Sequence, residues 1–70
     1  MYNQKVREAY IAWEQADIAW QADLQRVYGN RAGDMRYTRE GHSHPECIES
    51  YRRFCETGEQ WRQACKEEEK

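Results

Sequence analysis

Apolar residues recur at steps of three and four along two stretches of this 70-residue chain, with a glycine-bearing interval between them. In the first stretch, Val6, Ala9, Tyr10, Trp13, Ala16, Trp20, Leu24 and Val27 fall on one side of a helix. Val6, Trp13, Trp20 and Val27 recur at heptad spacing and so line a single seam. The pattern predicts a helix over about 3–28, with Asn3 as its N-cap and Gly29 as the left-handed residue that stops it. Arg26 lies in the last turn, where a cation is favourable.

The second stretch predicts a helix over about 44–66. Ser43-His44-Pro45-Glu46 reads as its start: Ser43 caps, Pro45 occupies the first turn, and Glu46 closes a capping box. Its apolar face is Ile48, Tyr51, Phe54 or Cys55, Gly58, Trp61 and Cys65. A glycine inside a helix costs roughly 1 kcal/mol against Ala, so Gly58 points to close approach of the other helix, opposite a Trp. Residues 29–42 hold three glycines and Asn30, too many breakers for a third helix. That interval is longer than a simple helix link, and Met35 and Tyr37 are expected to fold over the open end. Residues 67–70 read as a charged tail.

These elements give an all-α fold, an antiparallel two-helix hairpin with one domain over 1–70. Two helices cannot enclose a core, because the flanks of their facing stripes stay open to water. A homodimer forming a four-helix arrangement is the expected solution. The residues assigned to the core or dimer seam are Val6, Tyr10, Trp13, Trp20, Leu24, Val27, Ile48, Tyr51, Cys55 and Trp61. Ile11 and Ile18 lie off that seam. They are either the rim of a wide core stripe or a second contact surface on the same helix. The candidate partner-binding residues are Ile11, Glu14, Ile18, Arg31, Arg36 and Tyr37. Asp17 and Asp23 flank the stripe, where an unpaired carboxylate is costly. Their expected mates are Arg52, Arg53 and Arg62 or basic groups of another chain; the other reading makes them acidic anchors for a target.

Composition sharpens the partner requirement. Val, Ile and Leu together number six and there is one Phe, whereas Trp and Tyr number three and five. Such aromatics bury much area but carry N–H and O–H groups that need a partner or a wet edge. A net charge of −2 and a pI near 5.6 argue against direct nucleic-acid binding. The nearest basic patch, Arg26, Arg31, Arg36 and Arg39, is diluted by Asp34 and Glu40. No apolar run is long enough for a bilayer, no basic-then-apolar leader opens the chain, and three cysteines match no disulfide framework. A cytoplasmic chain with reduced thiols is expected.

His42, His44 and Cys47, with Cys55, are zinc-ligand types, but the spacing matches no known finger, and 43–47 already has a turn-and-cap explanation. No metal or cofactor is expected. A Cys–His nucleophile would need an oriented base, oxyanion donors and a dry cleft, which a hairpin does not offer, so no enzyme activity is expected.

Ala12-Trp13 and Ala19-Trp20, followed by Leu24 and Val27-Tyr28-Gly29, then Ala32-Gly33-Asp34 and His44-Pro45-Glu46, carry a resemblance across nearly the whole chain. The sequence resembles small helical-hairpin proteins of Mu-like temperate phages of Pseudomonas, the phage anti-quorum-sensing family. The resemblance implies a dimeric hairpin that inhibits a LuxR-type quorum-sensing activator and interferes with the ATPase of type IV pilus assembly. It carries over no individual binding residue. The function expected is thus a protein-binding inhibitor or modulator of a host protein. The alternatives are a structural or assembly protein of a phage or bacterial complex and, further off, a nucleic-acid-binding regulator.

Overall fold

The computed structural model describes residues 4–68. Among them are four α-helices and no strand: α1 (Gln4–Tyr28), α2 (Ala32–Met35), α3 (Arg39–Ser43) and α4 (Ile48–Glu68), with a 3-10 turn at Gly29–Arg31. The fold is therefore all-helical, with more pieces than a hairpin and a loop. Helices α1 and α4 run antiparallel along a rod of 41 × 17 × 16 Å. Their pairing is read from Lys5 Nζ on Glu67 Oε2 at 2.5 Å at one end and Ser50 Oγ on Asp23 Oδ2 at 2.6 Å towards the other.

Helix α1 stops where its sequence says it should. Gly29 takes φ 59, the left-handed value that a Cβ disfavours. The proposed cap Asn3 lies outside the described residues. The interval 29–42 departs from expectation, because it is helical over most of its length. Its glycines do not break it, for they are used differently. Gly33 sits in α2 with open space around it, whereas Gly41 is buried in α3 against the backbone of Met35. Thr38 supplies the missing start signal: its Oγ1 accepts from the Gly41 N–H at 3.1 Å and donates to the Met35 carbonyl at 2.8 Å.

The start of the second long helix also moves. Ser43 closes α3, donating from Oγ to the Arg39 carbonyl at 2.9 Å, and caps nothing downstream. The cap is His44, extended at φ −58, ψ 133 as a residue before proline prefers. Its Nδ1 accepts from the Glu46 N–H at 3.1 Å, and its carbonyl accepts from the N–H groups of Cys47 and Ile48 at 2.8 and 2.9 Å. The Glu46 carboxylate points to Arg26, at 3.9 Å, so no capping box forms. At the far end α4 continues through Glu68, so Glu67 belongs to a helix and not to a loose tail.

The buried set is Val6, Ala16, Trp20 and Leu24 from α1, Ala32 and Met35 from α2, Gly41 from α3, Cys47, and Ala64 from α4. Trp20, Leu24, Ala32 and Cys47 form one cluster, with Val27, Tyr28, Tyr51 and Phe54 packed around it. The short helices thus do what Met35 and Tyr37 were expected to do, covering one end of the rod. Tyr37 takes no part and stands 81 % exposed. Gly58 meets Trp13 as the sequence expected. A Cβ there would come within 3.2 Å of the indole Cδ1 and Nε1.

Candidate functional site

Between the long helices the aromatic side chains make a continuous ladder. Tyr10 tilts against Trp13 and Trp61, with centroids 5.9 and 5.4 Å away. Trp13 stacks on Trp61 at 5.0 Å and on Phe54 at 5.8 Å. Phe54 and Tyr51 each approach Trp20, at 5.1 and 4.9 Å, and Tyr51 stacks on His42 at 4.3 Å. Offset and tilted rings at such distances contribute about 0.5–1.5 kcal/mol per pair beyond their buried area. This chain, poor in aliphatic residues, fills its seam with rings.

The ladder sorts the predicted seam residues. Val6, Trp20 and Leu24 are buried, while Trp13, Val27, Tyr51 and Trp61 are half-buried in it. Tyr10 lies at its edge, and Ile48 and Cys55 lie outside the intramolecular seam, both exposed. Phe54 takes the place given to Cys55. The two are neighbours on a helix, and only the 100° between successive residues separates core from flank. Cys47, one turn ahead of Tyr51, is core as well; the expected face took Ile48 in its place, although 47, 51 and 54 keep the right spacing.

Arg36 is the largest reassignment. It was expected to meet a partner, but its guanidinium donates to Asp17 Oδ1 and, at 3.0 Å, to Gln21 Oε1. The same plane lies 4.6 Å from the Trp20 ring centroid and 5.5 Å from that of Phe54. A planar cation suits this combination of stacking and forked donation, where Lys would not. Asp17 therefore finds its mate in the connector and not on α4. Asp23 is met by Arg26 at 3.0 Å and by Ser50. Arg52 and Arg62 instead pair along their own helix, with Glu49 at 3.3 Å and Glu59 at 3.8 Å.

The candidate zinc ligands are placed in separate roles. His42 Nε2 meets the Arg36 carbonyl at 2.8 Å, His44 caps α4, and Cys47 is sealed in the core. Among the described residues no group of three or more His, Cys, Asp or Glu is arranged to hold a metal ion, and no helix is long and apolar enough to cross a membrane.

Three groups are harder to ionise than usual, through burial and their neighbours. The Cys47 thiol is pushed up, first by desolvation and then by the Asp23 carboxylate, with Arg26 opposing. Tyr51 is raised by its hydrogen bond to Cys55 and by burial, and Tyr28 by burial and Glu40. Each acid is thus harder to ionise in the folded chain than in the unfolded one. Their contribution is complete below the unfolded values, about 8.5 for thiols and 10 for phenols, and is lost as pH rises through the higher native values. The urea midpoint is expected to hold at neutral pH and fall in the alkaline range. Cys47→Ala should delay the onset of that fall, measured by circular dichroism between about pH 7 and 11.

The far side of α1 carries two of the exposed large apolar residues. Ile11 and Ile18 are 42 % and 63 % exposed, one heptad apart, with exposed Glu14 between them. Neither joins the aromatic ladder or the buried set. Arg31 is exposed at the connector end of the rod, its guanidinium reaching the Met35 sulfur at 3.8 Å. A second apolar surface is a shallow groove of about 290 Å³ lined by Trp13, Gly58, Trp61, Arg62 and Cys65. Comparison with protein-family models, with curated proteins and with solved structures finds no match for this chain.

Proposed function

We propose that the chain is a protein-binding module that acts by covering a functional surface of another protein, with the outer face of α1 as its contact. The observation that carries this reading is the pair Ile11 and Ile18, exposed on a helix whose inner face is already satisfied by α4. A branched aliphatic pair at heptad spacing offers an apolar ridge for a groove on a partner. Glu14 and Arg7 flank it and set the charge pattern that a partner must complement. A second copy is the partner that generic symmetry favours, giving a four-helix arrangement. The sequence resemblance makes a LuxR-type activator the first foreign target to test, with the pilus-assembly ATPase next.

The test is Ile11→Asp combined with Ile18→Asp. Both side chains are exposed, so helicity and urea midpoint should stay within about 0.5 kcal/mol of the parent. Binding to the purified activator, followed by calorimetry, should be lost. Retained binding would remove this face from the reading. Retained binding with loss of a dimer in light scattering would reassign the face to self-association.

A further inference from the structure

The segment 29–43 covers one end of the rod without a core of its own. Its buried residues, Ala32, Met35 and Gly41, face the long helices or each other's backbone. Beyond Ala32, which joins the core cluster, two of its side chains tie it to the long helices. Arg36 grips Asp17 and Gln21 and lies over Trp20 and Phe54, and His42 stacks on Tyr51. Its ends are marked by Gly29, with a left-handed backbone, and by His44, extended before Pro45. Beneath it lie the buried indole of Trp20, whose Nε1 has no hydrogen-bond partner, and the fully buried thiol of Cys47. An orphaned N–H is a standing penalty on the closed arrangement that admission of water relieves. The opposite end of the rod has its own ties, buried Val6 and Ala64 with the Lys5–Glu67 pair.

We infer that residues 29–43 form a strap that opens as one unit while α1 and α4 stay paired, with Arg36 on Asp17 as its latch. Opening exposes Trp20, Tyr51 and Cys47. It joins them to the exposed ring of Tyr10 and the half-buried rings of Trp13 and Trp61 in one aromatic surface. Partial opening of this kind is expected where a segment joins the rest through a limited set of contacts, here Ala32 in the core cluster, Arg36 and His42. The inference is independent of which protein binds the outer face of α1.

Cys47 supplies the readout. In a chain carrying Cys55→Ser and Cys65→Ser it is the single thiol, and its labelling by an aromatic disulfide reagent is followed against urea. Labelling at low urea should run at least tenfold faster than global unfolding permits and should depend little on urea. Asp17→Asn should speed it roughly tenfold. Val6→Ala, at the far end, should lower the urea midpoint and leave the low-urea rate unchanged. A labelling rate that tracks global unfolding at every urea concentration overturns the strap. So does a Val6→Ala variant that speeds labelling in step with its unfolding equilibrium. An unchanged rate in Asp17→Asn overturns the latch. Where Val6→Ala does not fold, the urea dependence of the parent decides alone.

Discussion

Gly41→Ala is expected to lower stability by about 3 kcal/mol, which for a chain of this size moves the thermal midpoint down by very roughly 15 °C. An added methyl would stand 2.0 Å from the Met35 carbonyl oxygen and 2.8 Å from its carbon. Both are backbone atoms, so no side-chain rotation relieves the contact. Two exits exist, and each sacrifices packing. Helix α3 can tilt away, withdrawing His42 from Tyr51, or the whole connector can lift off Trp20. Gly33→Ala is the matched control. Nothing lies within 4 Å of its Cβ position and its φ is not in the left-handed region. There the usual gain on replacing a helical glycine, about 0.4–1 kcal/mol, should appear. Urea denaturation of both variants, read by far-ultraviolet circular dichroism, gives the comparison. A Gly41→Ala midpoint equal to that of the parent would mean that Met35 and α3 do not approach as described.

Trp20→Ala is expected to cost about 3–5 kcal/mol, comparable with the whole stability available to a domain of this length. Trp20 is 2 % exposed and touches His42, Tyr51, Phe54 and the Arg36 guanidinium. Its loss therefore opens a cavity and strips the ladder of the ring that links connector to helices. Trp20→Phe separates the ring from its polar atom. The smaller ring forfeits some packing, but the unpaired indole N–H, worth about 1–3 kcal/mol as a buried orphan, goes with it. The Phe variant should lose less than half of what the Ala variant loses. Equal losses in the two would show that Nε1 has a partner in solution, such as a bound water. Circular dichroism is the proper signal, since the substitution removes a fluorophore.

The predictions draw unevenly on sequence and on structure. Periodicity placed α1 and α4, because an amphipathic helix repeats its apolar positions however its partner is arranged. It also paired Gly58 with a Trp, since an interior glycine is costly unless something needs the space. It failed between 29 and 47 for one reason. Glycine serves both as a breaker and as the residue that permits close approach, and composition does not tell these apart. Gly29 breaks, with its positive φ, while Gly41 permits. A one-residue error of helical phase placed Ile48 and Cys55 in the seam where the structure has Cys47 and Phe54.

The outer face of α1 was legible from the start, because Ile11 and Ile18 fall away from the Trp seam whatever α4 does. Arg36 was not. Its fate depends on the connector folding back to reach Asp17, 19 residues earlier, and Trp20. No local rule encodes that contact. The sequence by itself determined the two long helices, the aromatic character of their seam and the ridge left outside it, all of which follow from local periodicity. Only the tertiary structure decided that the connector is helical, that it seals one end of the ladder, and that its arginine is turned inward. Those outcomes rest on pairings between residues distant in the chain, where close backbone approach and stacked charge, and not propensity, choose the conformation.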